Sequence, residues 1–269
     1  MLQIMNINDY LAGKDEKPFD RIPCDGGFCS IFRTIACVGD SLSSGEFESM
    51  DENGNKGYHD MYEYSWGQYI ARMTGAKVYN FSSGGMNAAG YEERSARDNG
   101  YWDTDKLCQA YIMALGVNDI INNALPLGSI DDVCFEDYTK NKRTFAGKYA
   151  AIIQRYKLLQ PEAKFFLVTM PREDEVETNG KRAAHAGVLY DLAGKFNNTY
   201  VIDFYKYGPV YDEEFRSRFY LGGHMNAMGY VLTAKMIAGY IDYIIRKNPD
   251  DFKQVPFIGC DYWYHGAKR

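Results

Sequence analysis

Short apolar runs alternate with longer amphipathic segments along most of the chain. Five runs rich in β-branched and aromatic residues predict buried strands, at about residues 33–38, 77–81, 109–115, 164–169 and 199–203. Segments with apolar residues every three to four positions predict helices, at about residues 63–74, 145–159, 181–196 and 226–246. Strands that alternate with helices are typical of a parallel sheet with right-handed crossovers and helices on both faces. The pattern therefore predicts an α/β fold.

Two polar stretches lack this periodicity. Residues 1–33 are irregular, and we expect them to form an N-terminal arm that packs on a single domain at residues 34–269. Residues 43–60 form a long loop rich in Gly, Glu and Asn. A loop of this length more often has a function than serves as a bare connection, so we expect a wall or lid beside a site.

Composition excludes several classes of protein. A chain of 269 residues suits one large α/β domain, and a net charge of −6 argues against nucleic acid or an anionic membrane as the main partner. No apolar stretch reaches 18 residues, so no transmembrane helix is expected. Residues 1–9 lack the pattern of a signal peptide, which favours a cytoplasmic location.

The cysteines and tyrosines add little chemistry. Cys24 and Cys29 are close enough to pair, but a reducing cytosol disfavours a disulfide. No Cys-x-x-Cys motif or clustered His/Asp spacing occurs, so we expect no metal and no cofactor. Tyrosine is unusually common, at 23 residues. Tyrosine rings can line carbohydrate sites, although the edge of a core accounts for most of them.

The first predicted strand ends at Gly39-Asp40-Ser41-Leu42. Ligands of α/β proteins usually bind at this edge of the sheet, where a serine hydroxyl can act as a nucleophile. Taken alone, the motif also fits an ordinary turn or helix cap, so Ser41 becomes a candidate only with support from the other strand ends.

The second and third strands end in candidate hydrogen-bond donors. The second opens into Ser82-Ser83-Gly84-Gly85, where a glycine N–H can face a developing negative charge. The third ends at Gly116-Val117-Asn118-Asp119, where the Asn118 amide can complete an oxyanion hole. The alternative for the glycine segment is a plain loop or a phosphate-binding loop. The alternative for Asn118-Asp119 is a cap on the following turn, a role that suits Asp119.

A candidate base precedes the last helix. His224 follows Gly222-Gly223 and is free to point into a cleft. Of the other histidines, His59 lies in a polar loop, His185 in a helical pattern and His265 near the C-terminus, which favours structural or solvent-facing roles.

Serine, glycine, asparagine and histidine in this order resemble the SGNH (GDSL-type) hydrolase superfamily. The resemblance implies a three-layer α/β/α sandwich with a five-stranded parallel sheet in the flavodoxin-like order 2-1-3-4-5. It further implies that Ser41 is the nucleophile and His224 the base. The oxyanion hole would consist of the Ser41 N–H, the Gly85 N–H and the Asn118 side chain.

One position departs from the family pattern. The family usually has Asp three residues before the histidine, and this chain has Leu221 there. The backbone carbonyl of Leu221 could orient His224 instead, as could a carboxylate from Asp212, Glu213 or Glu214. We favour the carbonyl, because three acids in a row more often form an exposed helix start.

The resulting hypothesis is a serine esterase that hydrolyses carboxylic esters, with short acyl groups on carbohydrates as the first candidate. An acyltransferase would use the same acyl-enzyme, and a non-catalytic carbohydrate-binding protein of flavodoxin-like fold is a third reading. We expect a small-molecule or carbohydrate ester as the partner, and the sequence does not specify the oligomeric state.

Overall fold

A computed structural model describes residues 10–266. In this part of the chain the strands are β1 (Thr34–Gly39), β2 (Glu46–Met50), β3 (Lys56–Asp60), β4 (Lys77–Ser82), β5 (Ala110–Ala114), β6 (Lys164–Val168), β7 (Thr199–Ile202), β8 (Tyr220–Leu221) and β9 (His224–Met225). The helices are α1 (Ser41–Ser44), α2 (Trp66–Thr74), α3 (Ala88–Gly90), α4 (Ala96–Asp98), α5 (Phe145–Leu159), α6 (Val176–Ala193), α7 (Phe204–Tyr207), α8 (Glu213–Phe219), α9 (Ala227–Lys247) and α10 (Pro249–Phe252).

The main sheet contains five parallel strands in the order β4-β1-β5-β6-β7. Counted within the sheet alone, this is the expected order 2-1-3-4-5, and all five predicted strands are confirmed to within about two residues. β1 lies between β4 and β5, because it pairs with β4 on one side and with β5 on the other. Their carboxyl ends therefore meet at one edge of the sheet.

Helices cover both faces of the sheet, as predicted for a three-layer sandwich. On one face, Ile70 of α2 and Ile241 of α9 belong to a buried cluster with the side chains of β1. On the other face, Ile153 of α5 and Leu189 of α6 belong to a second cluster. The sheet is thus buried on both sides, which explains why its strands are continuously apolar.

The boundaries of two helices differ from prediction. α2 begins at Trp66 rather than near residue 63, because Ser65 caps it by accepting a hydrogen bond from Gln68 N. α6 begins at Val176 rather than residue 181 and ends at Ala193. Its first turns contain Thr, Asn and Gly, which have weak helix propensity, so the periodic pattern starts only after them.

The prediction of an irregular loop at residues 43–60 is wrong. Most of this segment is an antiparallel hairpin of β2 and β3, in which Glu46 pairs with Asp60 and Met50 with Lys56. Asn53-Gly54 lies in its turn, and such pairs favour hairpins. The solvent-facing positions of the hairpin are polar, so its sequence lacks the continuous apolar runs by which the other strands were predicted.

The described part of the N-terminal arm lies against α9. Arg246 is buried and forms ion pairs with Glu16 at 2.6 Å and with Asp242 at 2.7 Å. Asp242 also accepts a hydrogen bond from Phe28 N at 2.8 Å. These contacts tie the arm to the last long helix. Residues 1–9, which include the start searched for a signal peptide, lie outside the described residues, and the division at residue 33 stays a prediction.

The expectations about membrane-spanning helices and disulfides can be compared with the described residues. No helix within residues 10–266 is long and apolar enough to cross a membrane. All six cysteines are free, including Cys24 and Cys29.

The buried ion pair on α9 generates a stability prediction. Replacing Asp242 with Asn should lower the free energy of unfolding by about 3–5 kcal/mol, because it removes one partner of a buried charge. The control is Glu63→Gln, which breaks an exposed contact of 3.9 Å to Arg72 and should cost less than about 1 kcal/mol. Urea unfolding of both variants measures the difference, and equal losses would contradict the prediction.

Candidate active site

The candidate residues gather at the carboxyl edge of the sheet. Ser41 follows β1 directly, Gly85 follows β4 and Asn118 follows β5. Because β4, β1 and β5 are neighbours in the sheet, their three loops lie side by side. His224 comes from the hairpin of β8 and β9, and β9 is in contact with α1.

Only one of three neighbouring serines has a free and accessible hydroxyl. Ser41 is partly exposed at the start of α1, and its Oγ makes no hydrogen bond with any described residue. Ser43 is 1% exposed and packs against Gly39. Ser44 Oγ donates a hydrogen bond of 2.7 Å to Asp60. Burial and hydrogen bonding therefore disqualify Ser43 and Ser44 as nucleophiles.

Asp40 caps the N-terminus of α1 and so positions this helix. Its Oδ1 accepts a hydrogen bond from Leu42 N at 3.1 Å, which makes it the N-cap of this short helix. Burial raises the pKa of Asp40 to about 7, and the carboxylates of Asp119 and Glu46 act in the same direction. The turn-cap reading of this motif is thus correct for Asp40, while Ser41 remains free.

Asn118 lies beside the loop that carries Gly85. Its Nδ2 donates a hydrogen bond of 3.0 Å to the carbonyl of Met86, and its Oδ1 accepts one of 2.8 Å from Asn122. An amide nitrogen carries two protons, so a second donor is available to a ligand. Gly85 has φ 69°, a left-handed backbone conformation that favours glycine.

Asp119 holds these two loops together. Its Oδ1 accepts a hydrogen bond of 2.8 Å from Ala88 N, at the start of α3. It therefore bridges two strand-end loops and does not cap its own turn, where the chain adopts a short π-helix at Val117–Ile121. Burial raises the pKa of Asp119 to about 6.

The ring of His224 lies between two carboxylates. Nε2 is 3.1 Å from Glu46 Oε1, and Nδ1 is 3.7 Å from Glu48 Oε2. The exposed ring of Tyr58 packs edge-on against the imidazole, with centroids 5.6 Å apart. No hydrogen bond joins His224 to Ser41 among the described residues, and Nε2 faces Glu46 instead.

The carboxylate of Glu48 has several polar partners, whereas His224 is the only polar partner of the Glu46 carboxylate among the described residues. Glu48 Oε2 accepts a hydrogen bond of 2.9 Å from Gly223 N, and Oε1 pairs with Lys56 at 2.7 Å. The Lys56 ammonium holds the pKa of Glu48 below its usual range. A side chain at Gly222 would clash with this carboxylate, so the glycine pair ahead of His224 makes room for it. The Glu46 carboxylate makes no other polar contact with the described residues and rests against Gly84.

The acids considered from the sequence lie elsewhere. Asp212 caps α8 by accepting from Phe215 N, and Glu213 and Glu214 are exposed on its first turn, which confirms the expected helix start. The carbonyl of Leu221 makes no hydrogen bond to the ring, since Nδ1 lacks a hydrogen-bond partner among the described residues. The structure instead turns Nδ1 toward Glu48.

Sequence reasoning missed Glu46 and Glu48. Both lie on one face of β2, because side chains alternate along a strand, and Phe47 between them packs against Tyr230 on the other face. The alternation of Glu46, Phe47 and Glu48, followed by Asn53-Gly54, was the available signal of a hairpin with an acidic face.

The remaining histidines have other surroundings. His185 is fully buried on α6 beside the Leu115 carbonyl, and burial lowers its pKa to about 4. His59 lies on β3 and contacts Ser49, whereas His265 is exposed. Within residues 10–266, no group of three or more His, Cys, Asp or Glu side chains is arranged to hold a metal ion.

A cavity of about 170 Å³ adjoins the chain next to Ser41 and next to His224. Its wall includes Asp40 and Leu42, which flank Ser41, and Gly223 and Met225, which flank His224. Most of the other wall residues are apolar and come from the ends of β5 and β6 and from α2, α7 and α9. They include Trp66, Ala114, Val168, Phe204 and Ile237.

Several solved structures share this fold. A family two carbohydrate esterase from Clostridium thermocellum, in complex with cellohexaose, is 18% identical with a TM-score of 0.55; the match covers 79% of this chain and 64% of that one. The psychrotrophic esterase EstA from Pseudoalteromonas sp. is 14% identical with a TM-score of 0.53, over 80% of this chain and 100% of that one. A protein from Lactobacillus plantarum is 14% identical with a TM-score of 0.58, over 78% and 97% of the two chains.

Sequence comparison identifies the family. No curated protein matches the chain. The sequence model of the GDSL-like Lipase/Acylhydrolase family matches residues 37–232, well over half of the chain, and spans the motifs that contain Ser41, Gly85, Asn118 and His224. The chain therefore belongs to the GDSL-like lipase/acylhydrolase family.

Proposed function

We propose that this protein is a serine esterase that cleaves carboxylic esters, including esters of carbohydrates, through an acyl-enzyme on Ser41. Membership of a lipase/acylhydrolase family supports ester hydrolysis, and the fold is shared with carbohydrate esterases. The observation that carries the proposal is the placement of His224 between two carboxylates of the strand that follows Ser41.

The reaction would proceed in two balanced steps. Ser41 Oγ attacks the ester carbonyl carbon while its proton passes to His224 Nε2. The tetrahedral intermediate then breaks its bond to the alcohol oxygen, which takes the proton from the imidazolium. A water molecule repeats the attack on the acyl-enzyme, which releases the carboxylic acid and returns the proton to Ser41.

The developing oxyanion requires donors at the same edge of the sheet. We assign these to the N–H groups of Ser41 and Gly85 and to the second Nδ2 proton of Asn118. The bond from Asn118 to the Met86 carbonyl supports this role, because it holds the amide next to Gly85 before substrate binds.

The two glutamates take different roles in this proposal. Glu48 acts as the orienting acid, because it faces Nδ1 and is itself fixed by Gly223 N–H and Lys56. It would stabilise the imidazolium that forms when His224 accepts a proton. Glu46 occupies the Nε2 side of the ring in the free enzyme. It must turn away when an ester binds, and its lack of other polar anchors allows this.

The identity of the nucleophile is tested by covalent labelling. Ser41→Ala should abolish ester cleavage and labelling by a fluorophosphonate, because only an activated serine reacts with this probe. Ser43→Ala and Ser44→Ala serve as matched controls, and both should still be labelled. Circular dichroism checks that each variant is folded. Label that stays on Ser43 or Ser44 in a folded Ser41→Ala variant would contradict the proposal.

The oxyanion role of Asn118 is tested by steady-state kinetics. Asn118→Ala should lower kcat by roughly a hundred- to thousandfold with little change in KM, because the contact strengthens in the transition state. Asn99→Ala is the control, because it removes an exposed amide whose Nδ2 donates to the Ser95 carbonyl and to none of the candidate site residues. A rise in KM at unchanged kcat would show that Asn118 binds the ground state instead.

The roles of the two glutamates are tested as a pair. Glu48→Gln should lower kcat by at least about a hundredfold and by up to about 10⁴-fold, the loss that follows when a triad carboxylate is neutralised. Glu46→Gln should raise kcat/KM by roughly two- to fivefold. A neutral amide oxygen is a weaker acceptor for the Nε2 proton than the Glu46 carboxylate, and a partly exposed contact of this kind is worth on the order of 0.5–1 kcal/mol.

Both substitutions keep the size and shape of the side chain, so a difference in rate reports the charge. If Glu46→Gln causes the large loss and Glu48→Gln the small change, the assignments are reversed. If both variants retain full activity, neither carboxylate serves His224.

A further inference from the structure

We infer that the cavity bounded by the sequence neighbours of Ser41 and His224 binds the acyl group of the substrate, and that it selects apolar acyl groups of about six carbons. This inference rests on the proposed esterase function and concerns the acid half of the ester, which the family relationship does not specify.

Position is the first argument. Both sequence neighbours of Ser41 and both sequence neighbours of His224 contribute to the wall of the cavity. Ser41 and His224 are not themselves wall residues, so the cavity adjoins the backbone on both sides of each of them. An acyl group attached to Ser41 therefore has this space within reach.

Size and polarity give the second argument. An apolar cavity of about 150 Å³ in another protein stays dry and binds benzene, which has six carbons, so a cavity of about 170 Å³ suits a group of similar size. An acetyl group would leave most of this space empty. The apolar lining from Trp66, Val168, Phe204 and Ile237 favours a hydrocarbon over a polar substituent.

Charged side chains set an upper limit to the chain length. Glu173 contributes to the wall and forms ion pairs with Arg182, at 2.8 Å, and with Arg216. A long acyl chain would have to displace these charges or lie against them without compensation, which is unfavourable. We therefore expect the rate to pass through a maximum with chain length.

The first test is a chain-length series with the wild-type protein. The probes are p-nitrophenyl acetate, hexanoate and dodecanoate. The value of kcat/KM for hexanoate should exceed that for acetate by at least about tenfold, since even one methylene in an apolar pocket contributes about 10-fold or more. Dodecanoate should react more slowly than hexanoate. A preference for acetate, or a dodecanoate rate equal to that of hexanoate, would overturn the inference.

The second test fills the cavity. Ala114 lies at the end of β5 and contributes to the wall, so Ala114→Leu would place three more carbons inside. The ratio of hexanoate to acetate kcat/KM should fall at least about tenfold. The matched control is Ala193→Leu, a partly buried alanine at the end of α6 outside the cavity, which should leave the ratio unchanged. Thermal unfolding checks that both variants fold.

The results separate this inference from the proposed function. Labelling of Ser41 together with a preference for acetate would contradict the role of the cavity as the acyl site and would still support the proposed esterase function. An unchanged ratio in folded Ala114→Leu would do the same. Absence of both labelling and hydrolysis in the wild-type protein would overturn the esterase and the acyl cavity together. If Ala114→Leu does not fold, the chain-length series alone decides.

Discussion

The pairing of β1 with β4 on one side and β5 on the other is the constraint on which the site depends. Parallel strands point their carboxyl ends the same way, so three successive strand ends meet at one edge. Register completes the arrangement, because Gly39 lies level with Ser82 on one side and Ala114 on the other. The loops that carry Ser41, Gly85 and Asn118 therefore start at the same height.

Most of this sheet could be predicted from the sequence because its strands are buried on both faces. Continuous apolar runs are a strong signal, and a polar residue just after each run is visible without a structure. Ser41, Asn118 and the glycine loop of Gly85 stand out for this reason, whereas His224 stands out because it follows two glycines just before a long amphipathic segment. The hairpin of β2 and β3 gives a weaker signal, since it is exposed on one side and rich in Glu, Ser and Asp. Glu48 could not be connected to the loop before His224, because 175 positions separate it from Gly223.

Carboxyl groups buried at this edge come at a cost in stability. Within residues 10–266, Asp40 accepts a hydrogen bond from Leu42 N and Asp119 accepts one from Ala88 N, and burial raises their pKa values to about 7 and about 6. A carboxyl whose pKa rises on folding favours the folded state at low pH. That contribution is complete below the unfolded value near 4 and is lost as the pH rises through 6 to 7. These two groups thus work against the fold at neutral pH, while they hold α1 and the β4 loop in place.

The acidic face of β2 has a consequence for how this enzyme can change. Glu46 and Glu48 reach the same imidazole only because they are two positions apart on a strand. A shift of the hairpin by one residue would present Phe47 and Ser49 to His224 and turn both acids to the opposite face. Insertions or deletions in β2 or in its turn would therefore act as substitutions at the candidate site, even though no residue there is exchanged. A length change of two residues would restore the face but exchange the partners. The length of this surface hairpin is consequently under the same constraint as the identity of the residues in the site.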